Sequence, residues 1–261
     1  MAHPTGFRRL FFDIETSYCE GWFWRPSFKT QIGYEQIIKE ASMICICYKW
    51  QGSDKIYSMQ WDKGEDKEMA KKFYDVLLEA DEVVGHNGDR FDLKWLRTRF
   101  LIHGIKSIPV IKSVDTLKIS RSQFNFPSNR LDAIGKYLGF GGKKEHKGIE
   151  LWHDIIQRNN KRAMGEMIAY CKRDVELLEK VYLKLEGYAK SKTHIGVDYG
   201  NGKCSCPSCA SENTRVSKYR TSAAGTKTVQ LHCEDCGKYN SVSLTAYTNE
   251  MLINKGIGKK K

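Results

Sequence analysis

The chain has 261 residues and a formal net charge of +12 at pH 7, with a pI near 9.2. This length allows one sizeable domain and a small appendage. Because no run of eighteen apolar residues and no signal-peptide pattern occurs, we expect neither a membrane span nor export, and hence a cytoplasmic protein. The positive charge favours a polyanionic partner, nucleic acid before membrane, although a shell of solvated lysines gives the same charge.

The first predicted element is a buried strand that ends in two acidic residues. The apolar run over residues 10–14 is interrupted by Asp13 and followed by Glu15. Side chains two residues apart on a strand point to the same side, so these two carboxylates share a face. Like charges this close repel unless a cation lies between them, and a divalent metal ion is the obvious candidate. The alternative is a strand end at which both carboxylates are hydrated.

The segments that follow predict a mixed sheet flanked by helices. Residues 21–36 are rich in aromatic side chains and broken by Pro26, which is typical of a long irregular connection. Residues 42–50 and 55–61 are typical of two hairpin strands, which extend the first strand into a three-stranded antiparallel meander. We then expect a helix at 65–80, a strand at 81–87, a helix at 90–104, a strand at 108–116 and mostly helix over 117–188. This order predicts an α/β fold.

The character of the chain changes near residue 190. We expect a domain at 1–190, a polar, glycine-containing linker at 191–202, a cysteine-bearing module at 203–255 and a basic tail at 256–261. From Gly187 onward the chain has twelve Lys and Arg against five Asp and Glu, so about +7 of the formal charge lies in the last 75 residues. Positive charge is therefore concentrated in the cysteine-bearing part.

Two further acidic residues occupy defined positions on predicted helices. Asp92 lies in the first turn of the helix at 90–104, with Asn87 in the loop before it. Asp174 follows Tyr170 by four residues, so the two side chains lie one helical turn apart on a common face. Taken singly, Asp92 is also explained as a partner of the helix dipole, and Tyr170 and Asp174 as an ordinary core residue and a surface acid.

The order of the motifs DIE, GHNGDRFD and YCKRD resembles that of the DEDD exonucleases, a group within the ribonuclease-H-like superfamily that includes polymerase proofreading domains. The resemblance covers about Leu10 to Tyr182. It implies a ribonuclease-H-like mixed sheet and a 3′-to-5′ exonuclease. Position 169, where the histidine subclass has its base, is Ala, whereas Tyr170 occupies the tyrosine-subclass position. The chain is similar to stand-alone bacteriophage and bacterial exonucleases related to family B polymerase proofreading domains, which implies the cytoplasm of a bacterium or a phage-infected host.

The resemblance also implies a site with two Mg²⁺ or Mn²⁺ ions. Asp13 would bridge the ions, Glu15 and Asp174 would hold the ion that activates water, and Asp92 would support the other, through water. The Tyr170 hydroxyl would orient the attacking water, because a phenol with a pKa near 10 is a poor general base. The expected substrate is single-stranded nucleic acid, DNA before RNA. The alternatives are an RNA-trimming exonuclease and a catalytically silent nucleic-acid-binding protein.

Substrate-binding residues are less strongly indicated by the sequence. Asn87 and Trp22 are candidates, and Trp22 and the aromatic residues after it are explained equally well by core packing. The basic, glycine-containing loop at 141–148 either grips phosphates or is simply solvated. Asp115 lies at a strand end where this family often has an acid, and a helix N-cap explains it as well. Replication or repair proteins are possible further partners.

The C-terminal cysteines have the spacing of a zinc ribbon. Two Cys-x-x-Cys pairs are separated by 23 residues, and we assign one structural Zn²⁺ to Cys206, Cys209, Cys233 and Cys236. Cys204 is the alternative ligand. So small a module needs the folding energy that the metal supplies. We expect the ribbon to bind nucleic acid through Lys218, Arg220 and Lys227, and the alternative is a ribbon that only braces its neighbour.

Overall fold

The computed structural model describes residues 6–25, 30–107, 110–141 and 148–254. The chain forms two compact units: a larger unit, Arg8–Leu185, and a smaller unit, Met1–Phe7 together with Glu186–Lys261. The basic tail at 256–261 and most of the loop at 141–148 lie outside the described residues. Within the described residues, no helix combines the length and the apolar character that a membrane crossing requires.

The larger unit is built on a five-stranded mixed sheet. The strands of the whole unit, in chain order, are β1 (Arg9–Thr16), β2 (Glu20–Gly21), β3 (Ile37–Lys39), β4 (Met43–Trp50), β5 (Ile56–Gln60), β6 (Glu82–Gly85) and β7 (Lys112–Asp115). The main sheet has the order β5-β4-β1-β6-β7, antiparallel on the hairpin side of β1 and parallel on the other. The predicted meander and the mixed α/β sheet are confirmed. Of the residues predicted to be irregular, 21–36, Gly21 lies at the end of β2, which pairs with β3 just after this range as a separate small sheet.

Helices cover both faces of this sheet. They are α1 (Lys67–Leu78), α2 (Asp92–Ile102), α3 (Thr116–Gln123), α4 (Leu131–Tyr137), α5 (Ile149–Ile156) and α6 (Lys161–Leu185). Phe11 of β1 meets Tyr182 of α6 with ring centroids 5.4 Å apart, whereas Phe12 meets Phe73 of α1 at 5.5 Å. Because successive strand residues point to opposite faces, α6 and α1 lie on opposite sides of β1. The central strand is therefore buried on both sides, which explains its nearly continuous apolar sequence.

The smaller unit is a three-stranded antiparallel sheet with two helices. Its elements are α7 (Ile195–Asp198), β8 (Thr214–Thr221), β9 (Lys227–Cys233), β10 (Tyr239–Ser243) and α8 (Leu244–Asn254), and the strand order is β10-β9-β8. Cys204, Val229 and Leu231 form its buried cluster. The segment expected to be a linker contains α7, whose buried Ile195 donates its backbone N–H to the carbonyl of Pro207 at 3.1 Å. This segment therefore packs within the smaller unit.

Candidate metal centres

Three carboxylates converge beside the sheet of the larger unit. Asp13 and Glu15 follow Phe11 at intervals of two, so all three point to the face of β1 that α6 covers. Asp174 projects from α6 toward the same place, and one carboxylate oxygen of each acid lies within 4.8 Å of the others. The three acids are half-buried or buried. The strand period and the long helix together produce this carboxylate triad, Asp13, Glu15 and Asp174.

The carboxylate triad lines a cleft of about 650 Å³. Tyr170, one turn before Asp174 on α6, lines the same cleft. Arg121 and Arg130 also line it, and neither has an ion pair among the residues that the structure describes. The cleft thus combines a cluster of anions with two cations on its wall, which suits a bound ion and a substrate phosphate.

Asp92 lies outside the carboxylate triad and is absent from the described lining of the cleft. It is 3% exposed, and its Oδ1 accepts the backbone N–H of Ile14 at 3.1 Å. The pairing of β1 with β6 ends at Phe11, so this N–H lies beyond the end of the neighbouring strand. Burial raises the pKa of Asp92 to about 7, with the charge of Asp115 adding to the rise and backbone hydrogen bonds opposing it. The carboxylate thus holds the strand segment that carries Asp13 and Glu15.

A tight loop between β6 and α2 positions Asp92. A Cβ on Gly88 would lie 3.1 Å from the Cα of Gly85, so two backbone segments approach too closely for any other residue to fit without movement. Asn87 has a left-handed backbone with φ of 67°, and its N–H donates to Asp115 Oδ1 at 2.9 Å. The same oxygen accepts the N–H of Leu117, so Asp115 is the N-cap of α3. Asn87 lines a separate cleft beside the triad's cleft, together with Arg121.

Sequence reasoning missed His86, which also lines the cleft. Its Nε2 lies 2.9 Å from the carbonyl oxygen of Asn129 and its Nδ1 lies 2.9 Å from Thr116 Oγ1. Because a carbonyl only accepts, Nε2 carries the proton. The ring thus ties the end of β6 to the loop that carries Arg130. The GHN sequence offers no signal for this role, because both partners are distant in the chain.

The aromatic residues at 22–24 lie elsewhere. Trp22 is 70% exposed, and Phe23 and Trp24 are also exposed, so none of them is a core residue. None belongs to the described lining of the cleft. The structure therefore places Trp22 on an exposed surface of the larger unit, outside the described lining of the cleft, and its role in substrate binding stays a prediction.

The cysteine centre consists of the four residues chosen by spacing. The sulfurs of Cys206, Cys209, Cys233 and Cys236 lie within 4.8 Å of one another. The pairs 206/236 and 209/233 are separated by 3.5 and 3.6 Å, far longer than a disulfide bond of about 2.05 Å. Cys204 lies in the apolar cluster instead, and burial, with Glu250 adding to it, raises its pKa to about 12. Its backbone N–H donates to the Glu250 carboxylate at 3.1 Å.

The two donor sets fit different classes of metal. Oxygen donors from three carboxylates suit Mg²⁺ or Mn²⁺, which prefer hard ligands. Four thiolates suit Zn²⁺, and sulfur separations of 3.5 and 3.6 Å are close to the edge, about 3.8 Å, of a tetrahedron with Zn–S bonds of about 2.3 Å. The residues present therefore fit both the divalent ions and the structural zinc.

The basic residues of the smaller unit do not share one face. Lys218 pairs with Gln230 and Arg220 with Thr228, whereas Lys227 pairs with Thr221. Lys227 lies two residues before buried Val229 on β9, so the two side chains point to the same face of the sheet. Lys218 and Arg220 are paired with Gln230 and Thr228, which point to the other face. Lys227 therefore points to the opposite side from Lys218 and Arg220. The structure thus brings together two of the three predicted phosphate contacts.

Comparisons with known proteins agree with this architecture. Residues 10–186 match the family model described as the RNase_H superfamily. A DNA polymerase of Methanocaldococcus jannaschii is 38% identical over 63 residues, which are 24% of this chain and 4% of that protein. The family B DNA polymerase of the hyperthermophilic archaeon Pyrobaculum calidifontis has a similar structure, with a TM-score of 0.54 and 18% identity over 74% of this chain and 25% of the polymerase chain. The chain thus spans a quarter or less of either polymerase, and the structural similarity establishes the fold.

Proposed function

Because the chain belongs to the RNase_H superfamily over residues 10–186, we propose that it is a metal-dependent 3′-to-5′ exonuclease of the tyrosine DEDD subclass. The proposed substrate is the 3′ end of a single-stranded nucleic acid, DNA in preference to RNA. One observation carries the proposal: the carboxylate triad converges in a cleft that Tyr170 also lines. The two archaeal polymerases to which the chain is similar support a nuclease related to a proofreading domain.

The carboxylate triad would hold the divalent ions, and Asp92 would contribute through water from its buried position. Nucleases of the RNase H-like superfamily use divalent metals, which acidify the attacking water and stabilise the leaving 3′ oxygen when bound. A cluster of three carboxylates is costly without cations, because like charges repel. The cluster is therefore the part of the cleft that most needs ions.

Side chains of the chain itself would orient the substrate. The Tyr170 hydroxyl donates or accepts a hydrogen bond at the position of the attacking water, and we assign it an orienting role because a phenol is in general a poor base. Arg121 and Arg130, which have no ion pair among the described residues, contact the phosphates flanking the scissile bond. His86 fixes the loop on which Arg130 lies.

The test uses 5′-labelled single-stranded DNA and RNA of one sequence. Each is incubated with the full chain and Mg²⁺, Mn²⁺ or EDTA, and the products are resolved by length. A ladder that shortens from the 3′ end only with metal, and faster for DNA, is expected. A faster ladder on RNA would make the protein an RNA-trimming exonuclease, and intact substrate with every metal would leave a silent nucleic-acid-binding protein.

A further inference from the structure

The sheet of the smaller unit has one buried face and one open face. Val216, Val229, Leu231 and Val242 form the buried face against Leu244 and Tyr247. Cross-strand pairs place the alternate residues on the other side, because directly paired residues share a face. We call this the outer face, and its residues are Arg215, Lys218, Arg220, Thr228, Gln230, His232, Tyr239, Ser241 and Ser243. They are exposed or half-buried, and none is aliphatic.

Two cations of the outer face are available to an anionic ligand. Lys218 and Arg220 have no ion pair among the described residues, and the guanidinium of Arg220 has only the neutral Gln230 as a partner, at 3.4 Å. The carboxylate at the edge of the face, Glu234, is engaged by Arg215 and by His232, the latter at 2.9 Å. Lys218 and Arg220 therefore present positive charge that no described carboxylate neutralises.

The outer face also carries an aromatic platform. Tyr239 is 54% exposed, and its ring lies against His232 with centroids 4.6 Å apart. A ring supported from one side and open on the other is suited to stack on an unpaired base. Cations and an exposed ring on one face of a sheet are the two elements that single-strand binding surfaces combine.

A cleft continues the outer face along β10. It has a volume of about 620 Å³ and lies between residues 187–194 and 238–242. Tyr239 and Ser241 belong to both the outer face and this cleft. Three lysines line it, Lys190, Lys192 and Lys238, and its described lining contains no Asp or Glu. The basic surface is therefore wider than the sheet alone.

We infer that the outer face and this cleft bind a single-stranded polynucleotide, with Lys218 and Arg220 on phosphates and Tyr239 stacked on a base. The inference rests on the proposed function, since a nuclease gives the reason for a polynucleotide ligand. Charge complementarity selects this occupant, because Lys218 and Arg220 have no ion pair among the described residues and the ring of Tyr239 is exposed on the same face. In the competing account, the basic residues only offset the net charge of −2 of a zinc ion held by four thiolates.

The experiment measures binding of fluorescent oligo(dT) to the full chain at several salt concentrations. All proteins carry Asp174→Asn, so that the oligonucleotide is not degraded, and the zinc content of each variant is compared with that of the parent to verify folding. Lys218→Gln with Arg220→Gln is expected to weaken binding and to flatten the slope of log affinity against log salt by about 1.4, or about 0.7 for each phosphate contact on a single strand. Tyr239→Ala is expected to weaken binding about five- to a hundredfold with the slope unchanged, and Tyr239→Phe to restore it.

Lys227→Gln is the matched control, because it removes one charge from the same hairpin on the opposite face. Its affinity and slope are expected to equal those of the parent. Unchanged affinity and slope in the Lys218/Arg220 variant with normal zinc content would overturn the inference in favour of charge compensation. The single variant Lys218→Gln, which removes the same charge as Lys227→Gln, should have the larger effect, and equal effects of the two would overturn the assignment of the face. Binding here needs no hydrolysis, so a failure of the nuclease assay is read separately from a failure of this inference.

Discussion

The carboxylate of Asp92 accepts the backbone N–H of Ile14 at 3.1 Å, between the two acids of β1. This contact links the first turn of α2 to the strand that carries Asp13 and Glu15. Asp92 can therefore hold the geometry of the site whether or not it also contacts an ion. Its ionisation has a cost in a protein without bound divalent ions, because the group is almost fully buried.

We expect Asp92→Asn to change how stability depends on pH. The folded pKa of about 7 exceeds the unfolded value of 3.8, so between these values the folded protein binds more protons than the unfolded chain. The free energy of unfolding of the wild-type protein therefore falls as pH rises from about 4 to about 7. Without added Mg²⁺ or Mn²⁺, the Asn variant should match wild type near pH 4 and be more stable at pH 7.5 by about 3–4 kcal/mol, since each pKa unit corresponds to about 1.4 kcal/mol.

Urea unfolding followed by tryptophan fluorescence checks this, because all six tryptophans lie in the larger unit. Glu176→Gln, which removes the carboxylate of an exposed ion pair with Lys180, serves as the control and should leave the pH profile unchanged. Parallel stability profiles for wild type and Asp92→Asn would contradict the raised pKa.

Asp13→Asn and Asp174→Asn are each expected to lower the hydrolysis rate by about three orders of magnitude or more. Each removes one of three converging charges and with it the binding of a divalent ion. Rates of shortening of 5′-labelled single-stranded DNA in Mg²⁺ measure the effect. Glu176→Gln, on the exposed side of α6, is the control and should retain the wild-type rate. A wild-type rate in either Asp variant would contradict the assignment of Asp13 and Asp174 as metal ligands.

Tyr170→Phe should lower the rate about ten- to a thousandfold, less than loss of a carboxylate, since bound metal ions would still acidify the attacking water. The matched control is Tyr182→Phe on the same helix, whose ring packs on Phe11 and which should keep its rate. Both variants are compared under single-turnover conditions with the same labelled DNA. A fully active Tyr170→Phe enzyme would show that the Tyr170 hydroxyl has no role in hydrolysis and that the ring only packs in the core.

Cys206→Ser with Cys209→Ser should abolish zinc binding and unfold the smaller unit, because four thiolates are needed to close the site. Cys204→Ser should retain the metal, since that thiol lies in the apolar cluster. Zinc content by mass spectrometry, and amide exchange of β9, distinguish the two. Loss of zinc from Cys204→Ser would instead make Cys204 a ligand.

Gly88→Ala should destabilise the larger unit by about 1–3 kcal/mol and lower the rate. Its Cβ would lie 3.1 Å from the Cα of Gly85 and 3.7 Å from Asp92 Oδ2, so the loop must move. Gly165→Ala, at an open position in α6, is the control and should stabilise by about 0.5–1 kcal/mol. Tryptophan-detected urea unfolding measures both, and an unperturbed Gly88→Ala protein would show that the loop tolerates a Cβ.

The parts of the fold that could be predicted depend on local pattern. Residue alternation and apolar runs predict β1, the position of its two acids on one face, and the hairpin that follows. The helical spacing of Tyr170 and Asp174 likewise places them one turn apart. Strands of two or three residues, such as β2 and β3, carry too little pattern to be recognised.

Features set by distant partners could not be predicted. The position of Asp92 outside the carboxylate triad depends on where β6 ends relative to β1. Lys218 and Lys227 are separated in space by a register shift between Val216 and Lys218, which simple alternation does not reveal. His86 acquires its role from the Asn129 carbonyl, 43 residues away.

The carboxylate triad also has a consequence for synthesis of the protein. Asp13 and Glu15 lie on the first strand, whereas Asp174 lies near the end of the larger unit, 161 residues after Asp13. During translation, the strand with two acids leaves the ribosome long before its third partner exists. The convergence of three carboxylates arises only when α6 docks, so an incomplete chain carries the motif without the centre.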